Sequence, residues 1–263
     1  MDIRLNGRNA LITGGSLGIG FAIAERFAKS GGNVAIVARR RDALEQARDA
    51  ILENAKPENA GANVVAISAD ITRADECERA VAEAKDALGS IDILVNNAGS
   101  SQKGPFEEIT DEIWQADLDI KLFAAIRFSR LVLRDMKERK WGRIINVLNS
   151  GAKAPPAEGA PTAVTRAAGL AMTKAMAGEF APHNVLVNSL HVGRIKSDQW
   201  VRRADGQDRD LDELYAEMGK IIPLGRVGEA EEFANIACFL ASDAGSYITG
   251  TAINVDGGLT PVT

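Results

Sequence analysis

Apolar residues in this chain fall into short continuous runs, each followed by a stretch in which apolar positions recur every three or four residues. The runs are Asn9 to Thr13, Asn33 to Ala38, Asn63 to Ser68, Ile91 to Asn96, Arg143 to Leu148, Asn184 to Leu190 and Thr251 to Val255. Runs of this length without alternation are the pattern of strands buried on both faces. After the first run, Ile19, Ala22, Ile23, Phe27 and Ala28 share one face of a helix over 18–30. Helical spacing also covers 41–55, 73–88 (closed by Gly89), a long stretch over 111–139, then 162–180 and 229–241, whereas 191–223 is looser. Such alternation predicts an α/β fold: a doubly wound, Rossmann-type parallel sheet of about seven strands, with ligands at the C-terminal strand ends. No linker or repeat divides the sequence, so residues 1–263 are expected to form a single domain.

The first run ends in Thr13-Gly14-Gly15-Ser16-Leu17-Gly18-Ile19-Gly20. Glycines let the backbone approach a diphosphate, and the helix that follows offers free N–H groups and the positive end of its dipole. Gly14, Ser16, Leu17, Gly18, Ile19 and Gly20 are therefore candidate dinucleotide ligands. The same segment also satisfies GxSxG, the nucleophile elbow of serine hydrolases. That reading needs a histidine partner, and His183 and His191 are the only ones available. It also lacks a preceding oxyanion-hole segment and would place the elbow on the first strand, so the dinucleotide reading is favoured. The second run ends in Ala38-Arg39-Arg40-Arg41, without the acid that holds the ribose 2′-hydroxyl of NAD. Arginine pairs well with a 2′-phosphate, so NADP(H) is favoured over NAD(H), with Arg39 as first candidate.

Composition narrows the partners. Lys plus Arg is 31 and Asp plus Glu 36, a net charge of -5, which argues against general nucleic-acid binding. Cys77 and Cys238 are far apart and form neither a disulfide framework nor a zinc pattern, so no metal is expected. There is no secretory h-region and no apolar run long enough for a membrane span. The expectation is a cytoplasmic protein acting on a small-molecule substrate.

Together, the glycine loop, Asp70, Asn96-Asn97-Ala98-Gly99, Pro223-Leu224-Gly225-Arg226 and Ile248-Thr249-Gly250 through Asp256-Gly257-Gly258 resemble the short-chain dehydrogenase/reductase family, of the 3-oxoacyl-carrier-protein-reductase-like kind. The resemblance covers nearly the whole chain. It implies hydride transfer between a nicotinamide and a carbonyl or alcohol carbon, and a homo-oligomer, tetramer or dimer. It implies that Asp70 and Ile71 flank the adenine, that Asn96, Ala98 and Gly99 line the cofactor, and that residues about 191–223, with Trp200, form a substrate lid.

The family's Asn-Ser-Tyr-Lys set does not recur. Its Ser falls at Asn149, with Ser150 next to it; its Tyr falls at Thr162, its Lys at Arg166 and its Asn at Lys121. The Pro-Gly after the sixth strand becomes Val192-Gly193, preceded by His191, and Tyr215 and Tyr247 lie elsewhere. Gly193 and Arg166 remain candidates for the cofactor, Arg166 through ribose hydroxyls. A threonine hydroxyl is too weak an acid to replace a phenol, and arginine does not relay protons. Lys121, with its pKa lowered by burial beside Arg166, or His191 is expected to stand in for the tyrosine, while Asn149 and Ser150 polarise the substrate oxygen. Thr162 itself reads as a cap or filler at the start of its helix. The leading reading is an NADP-binding oxidoreductase with an atypical site. The alternatives are a non-catalytic cofactor-binding or scaffold homologue, or a non-redox dehydratase or isomerase on the same fold.

Overall fold

Each of the seven apolar runs becomes a strand of one parallel sheet in the computed structural model, which describes residues 3–59 and 61–263. The strands are β1 (Asn9–Thr13), β2 (Asn33–Ala38), β3 (Val64–Ser68), β4 (Ile93–Asn96), β5 (Gly142–Asn149), β6 (Val185–Val192) and β7 (Ala252–Val255). Their order is β3-β2-β1-β4-β5-β6-β7, so the direction of winding reverses between β1 and β4. A crevice opens at that switch point, beyond the C-terminal ends of the strands.

The strands are apolar on both faces because helices cover both. The helices are α1 (Gly18–Lys29), α2 (Arg41–Ala55), α3 (Ala74–Leu88), α4 (Asp111–Leu118), α5 (Ala124–Arg139), α6 (Thr162–Phe180), α7 (Asp198–Gly206), α8 (Leu211–Gly219) and α9 (Ala230–Ala241). One core joins Ile23, Phe27, Ile51 and Phe233 of α1, α2 and α9 to Ile12 and Ile36 of the sheet. The other joins Phe128, Val132, Met136 and Phe180 of α5 and α6 to Leu11, Leu94 and Val187. Neighbouring residues Leu11 and Ile12 thus serve opposite cores, as the period of a strand requires.

Two expectations are corrected. The helix over 111–139 is not regular: a π-turn at Asp119–Phe123 separates α4 from α5 without breaking the chain's helical course. The looser segment 191–223 contains α7 and α8, which close over their own small core of Ala204, Leu214, Met218, Ile222 and Val227, with Trp200, Leu211 and Leu259 packed against it. Its polar composition hid the helices, although Asp210 caps α8 by accepting from the Glu213 N–H at 2.9 Å.

Candidate active site

Local backbone demands shape the first loop. Gly14 and Gly18 take φ of +67° and +56°, a region that favours glycine. A Cβ on Gly20 would lie 2.1 Å from the Gly14 carbonyl oxygen, so no other residue fits there without moving the turn. No side chain caps α1 at Leu17, which leaves the first-turn N–H groups facing the crevice without a protein side-chain acceptor. Thr13 ties the two halves of the sheet: its hydroxyl accepts from the Asn97 and Ala98 N–H groups at 3.0 and 3.1 Å.

A cleft of about 970 Å³ runs along the strand ends from Arg39, Arg40, Asp70 and Ile71, past the glycine loop and Asn97–Gly99, to Asn149, Ser150, Thr162, Arg166 and Gly193. Gly14, Ser16, Leu17, Gly18, Ile19, Gly20 and Ala98 all line it, as do Ser197, Gln199, Trp200 and Arg202 of the segment that carries α7. Asp70 is held below the ordinary carboxylate range, chiefly by the hydrogen bond from the Thr72 hydroxyl at 2.8 Å. No tyrosine is among the lining residues: Tyr215 packs in the small α7–α8 core and Tyr247 is fully exposed.

Three predicted site residues stand behind the cleft wall rather than on it. Asn96 is buried and donates to Asn146 Oδ1 at 2.9 Å. His191 lies inside β6, fully buried, with Nδ1 3.0 Å from the Asn149 carbonyl and Nε2 3.1 Å from the Ser189 hydroxyl. Burial lowers its pKa to about 4. It therefore stays neutral with both nitrogens engaged, a strut that fixes Asn149 rather than an acid at the cleft. The serine-hydrolase reading fails with it, since these contacts leave no bond to Ser16, and His183 sits exposed after α6.

The His191 ring should make the protein acid-sensitive. In the unfolded chain the imidazole takes up its proton near pH 6.5, but in the fold only near 4. Stability is therefore complete above about pH 6.5 and falls as the pH drops towards 4, by on the order of 3 kcal/mol from this group. Thermal melts between pH 7 and 4 should show a shallower decline in His191→Gln than in the parent. Parallel curves would mean that other groups govern the loss.

Lys121 is the third residue behind the wall, and it forms a buried charged cluster. It lies in the π-turn, and its ammonium donates to Asp117 Oδ1 one turn earlier and to the Thr162 hydroxyl oxygen at 2.7 Å. Both charged side chains are buried, at 1% and 2% exposure. Burial pushes the Lys121 pKa down to about 8; the Asp117 bond opposes that shift and the nearby Arg166 charge reinforces it. Burial likewise lowers Arg166 to about 10. Its Nη1 donates to the Val147 carbonyl at 2.7 Å, and its Nε is buried without a partner.

Thr162 links this cluster to the cleft. It is not a cap; the N-cap of α6 is Pro161. Its hydroxyl accepts from the Gln102 N–H at 2.9 Å and from Lys121, and donates to Asp117 Oδ1 at 3.2 Å. Asn149 Oδ1 is also buried without a partner. The sequence reading missed Asp117 and Gln102. The Asp117–Lys121 spacing of four residues, which puts both on one helix face, was a signal for the first. Nothing in the sequence marked the second, which acts through its backbone.

A doubly wound sheet with a capless glycine turn at its switch point, opening onto a long cleft, defines a dinucleotide-binding protein of the Rossmann class. A family model described as enoyl-(acyl carrier protein) reductase matches residues 14–260. The oxidoreductase UcpA of Salmonella typhimurium is 36% identical, over 98% of this chain and 96% of that protein. Among solved structures, L-sorbose reductase from Gluconobacter frateurii, complexed with NADPH and L-sorbose, superposes with a TM-score of 0.94 at 32% identity over 100% of both chains. An NADPH-bound short-chain oxidoreductase from Pseudomonas aeruginosa PAO1, containing an atypical catalytic center, superposes with a TM-score of 0.89 at 34% identity, covering 97% of this chain and 98% of that one. The chain belongs to the short-chain dehydrogenase/reductase family.

Proposed function

We propose that this protein is an NADP(H)-dependent oxidoreductase that interconverts a carbonyl and an alcohol, with Thr162 at the substrate and Lys121 as its proton source. One observation carries the reading: the Lys121 ammonium bonds to the one hydroxyl, that of Thr162, standing where the family places its tyrosine. The residues present fit the dinucleotide, because the turn leaves no room for a Cβ at Gly15 or Gly20 and α1 has no cap of its own. Arg39 and Arg40 at the end of β2 suit a 2′-phosphate. The NADPH carried by the Gluconobacter and Pseudomonas relatives agrees with that preference. When bound, NADPH supplies the hydride that reduces the carbonyl carbon.

The chain's own residues then manage the oxygen. Asn149 and Ser150 orient it from the end of β5. Thr162 turns its hydroxyl proton from Asp117 Oδ1 to that oxygen and gives it up as Lys121 delivers a replacement, so no free threonine alkoxide has to form. Lys121 is left as a neutral amine beside Asp117, a state that its lowered pKa makes accessible near neutral pH. Arg166, one α6 turn beyond Thr162, keeps donors for ribose hydroxyls. Helices α7 and α8 act as the lid over the substrate, and the working unit is a homo-oligomer.

Titration of NADPH and NADH followed by turnover of a ketone panel tests this. NADPH should bind more tightly, and Arg39→Asp should weaken it roughly 10- to 100-fold with little effect on NADH. An unchanged NADPH affinity would remove Arg39 from the site. The closed, buried Lys121–Asp117 pair favours a second reading, a non-catalytic cofactor-binding homologue. Under it the parent binds NADPH without turnover, and the combined change Asn149→Ser, Thr162→Tyr, Arg166→Lys gains activity.

A further inference from the structure

The cleft carries cations beyond the two arginines at the end of β2. Arg39 and Arg40 occupy the β2 end, yet Lys103, Arg194 and Arg202 also line the cleft, and none of the three forms an ion pair among the described residues. Among the described residues the acids lining the cleft are Asp70, at the end of β3, and Asp198. In a chain of net charge -5, cations left unneutralised in a cleft concentrate a positive field there.

The backbone that carries two of these cations is held in place. Lys103 belongs to a segment pinned beside Thr162: its backbone bridges Pro161, Gln102 exchanges bonds with Thr162, and the Gly104 N–H donates to the Glu158 carbonyl at 3.1 Å. Arg194 follows β6 and is fixed by the bridge between Ile195 and Gly228. Its guanidinium lies 5.6 Å from the Trp200 ring centroid, and its Nε is buried with no hydrogen-bond partner. A buried, unpaired guanidinium nitrogen in a ligand cleft calls for an acceptor that the protein does not supply.

We infer that the substrate is a carbonyl compound bearing an oxyanion, a carboxylate or a phosphate, which Arg194 grips while Lys103 adds charge next to Thr162. This rests on the reductase reading above. The shared chemistry is a planar or tetrahedral set of anionic oxygens matched to the guanidinium fork.

Two matched pairs separate the sources: 3-oxobutanoate against its methyl ester, and dihydroxyacetone phosphate against dihydroxyacetone. Each is assayed for turnover with NADPH and for binding to the NADPH-loaded protein by tryptophan fluorescence. In at least one pair the charged member should be favoured roughly 10- to 100-fold, mainly through KM, and less so at high salt. Arg194→Gln should collapse that ratio, and Lys103→Gln should reduce it. The pair showing the preference identifies carboxylate or phosphate. Equal handling of both members in both pairs, or no binding of any of them, overturns the inference. So does a ratio that survives Arg194→Gln while NADPH affinity falls, which would give the guanidinium to the coenzyme. A charged-over-neutral preference in binding without turnover would instead retain the anion site and reject the reductase reading.

Discussion

Lys121→Met is expected to lower turnover by ~10²–10⁴-fold, the usual cost of losing a positioned proton donor. The pH profile should change with it. In the direction of carbonyl reduction the ammonium must be protonated, so the parent rate is flat below about pH 8 and falls above it; in the direction of alcohol oxidation it rises through the same value. Neither limb should survive the substitution. Lys121→Met also strands the Asp117 carboxylate, which is 2% exposed, so the loss of rate must be separated from a loss of fold. The paired change Asp117→Asn, Lys121→Met removes both charges. It should melt higher than Lys121→Met alone yet remain as inactive. Recovery of turnover in the pair would mean that the lysine serves only to neutralise the aspartate.

Asp117→Asn alone carries the second large effect. It leaves a buried ammonium without its counter-charge, a change that typically costs 3–5 kcal/mol of stability, about that order here. The direction of the accompanying titration is fixed by the contacts. The bond to Asp117 raises the Lys121 pKa, whereas burial and Arg166 lower it. Removing the carboxylate therefore shifts the falling limb of the reduction profile to below pH 8. A stability loss with the limb unmoved would confine Asp117 to a structural role.

The sheet was legible because its strands are buried on both faces, and a run such as NVAIVA has few other homes. The glycine turn was legible for a similar reason: Gly20 packs against the Gly14 carbonyl with no room to spare, so its sequence is nearly dictated by its backbone. The catalytic end was less so. Residue types identified Lys121, Thr162 and Arg166 by register, but not that Lys121 sits behind Thr162 or that Thr162 also bonds to Asp117, because those contacts join residues 41 and 45 positions apart. His191 misled for a related reason. A histidine at the end of a strand looks available, and only the extension of β6 to Val192 and the bond to Asn149 show that it is enclosed. The helices of 191–223 escaped because their apolar residues pack on one another rather than on the sheet.

The widened turn at Asp119–Phe123 gives one long helix two angular settings. Downstream of it Phe128, Val132 and Met136 keep step with the sheet; upstream, Asp117 keeps step with the lysine. Each residue of a regular helix advances the face by about 100°. Excising Leu122 or Phe123 from the turn would keep Asp117 and Lys121 four residues apart yet rotate the pair by about 100° away from Thr162, while the hydrophobic seam of α5 stays in register, so the proton-handling machinery can be retuned without rebuilding the scaffold that carries it.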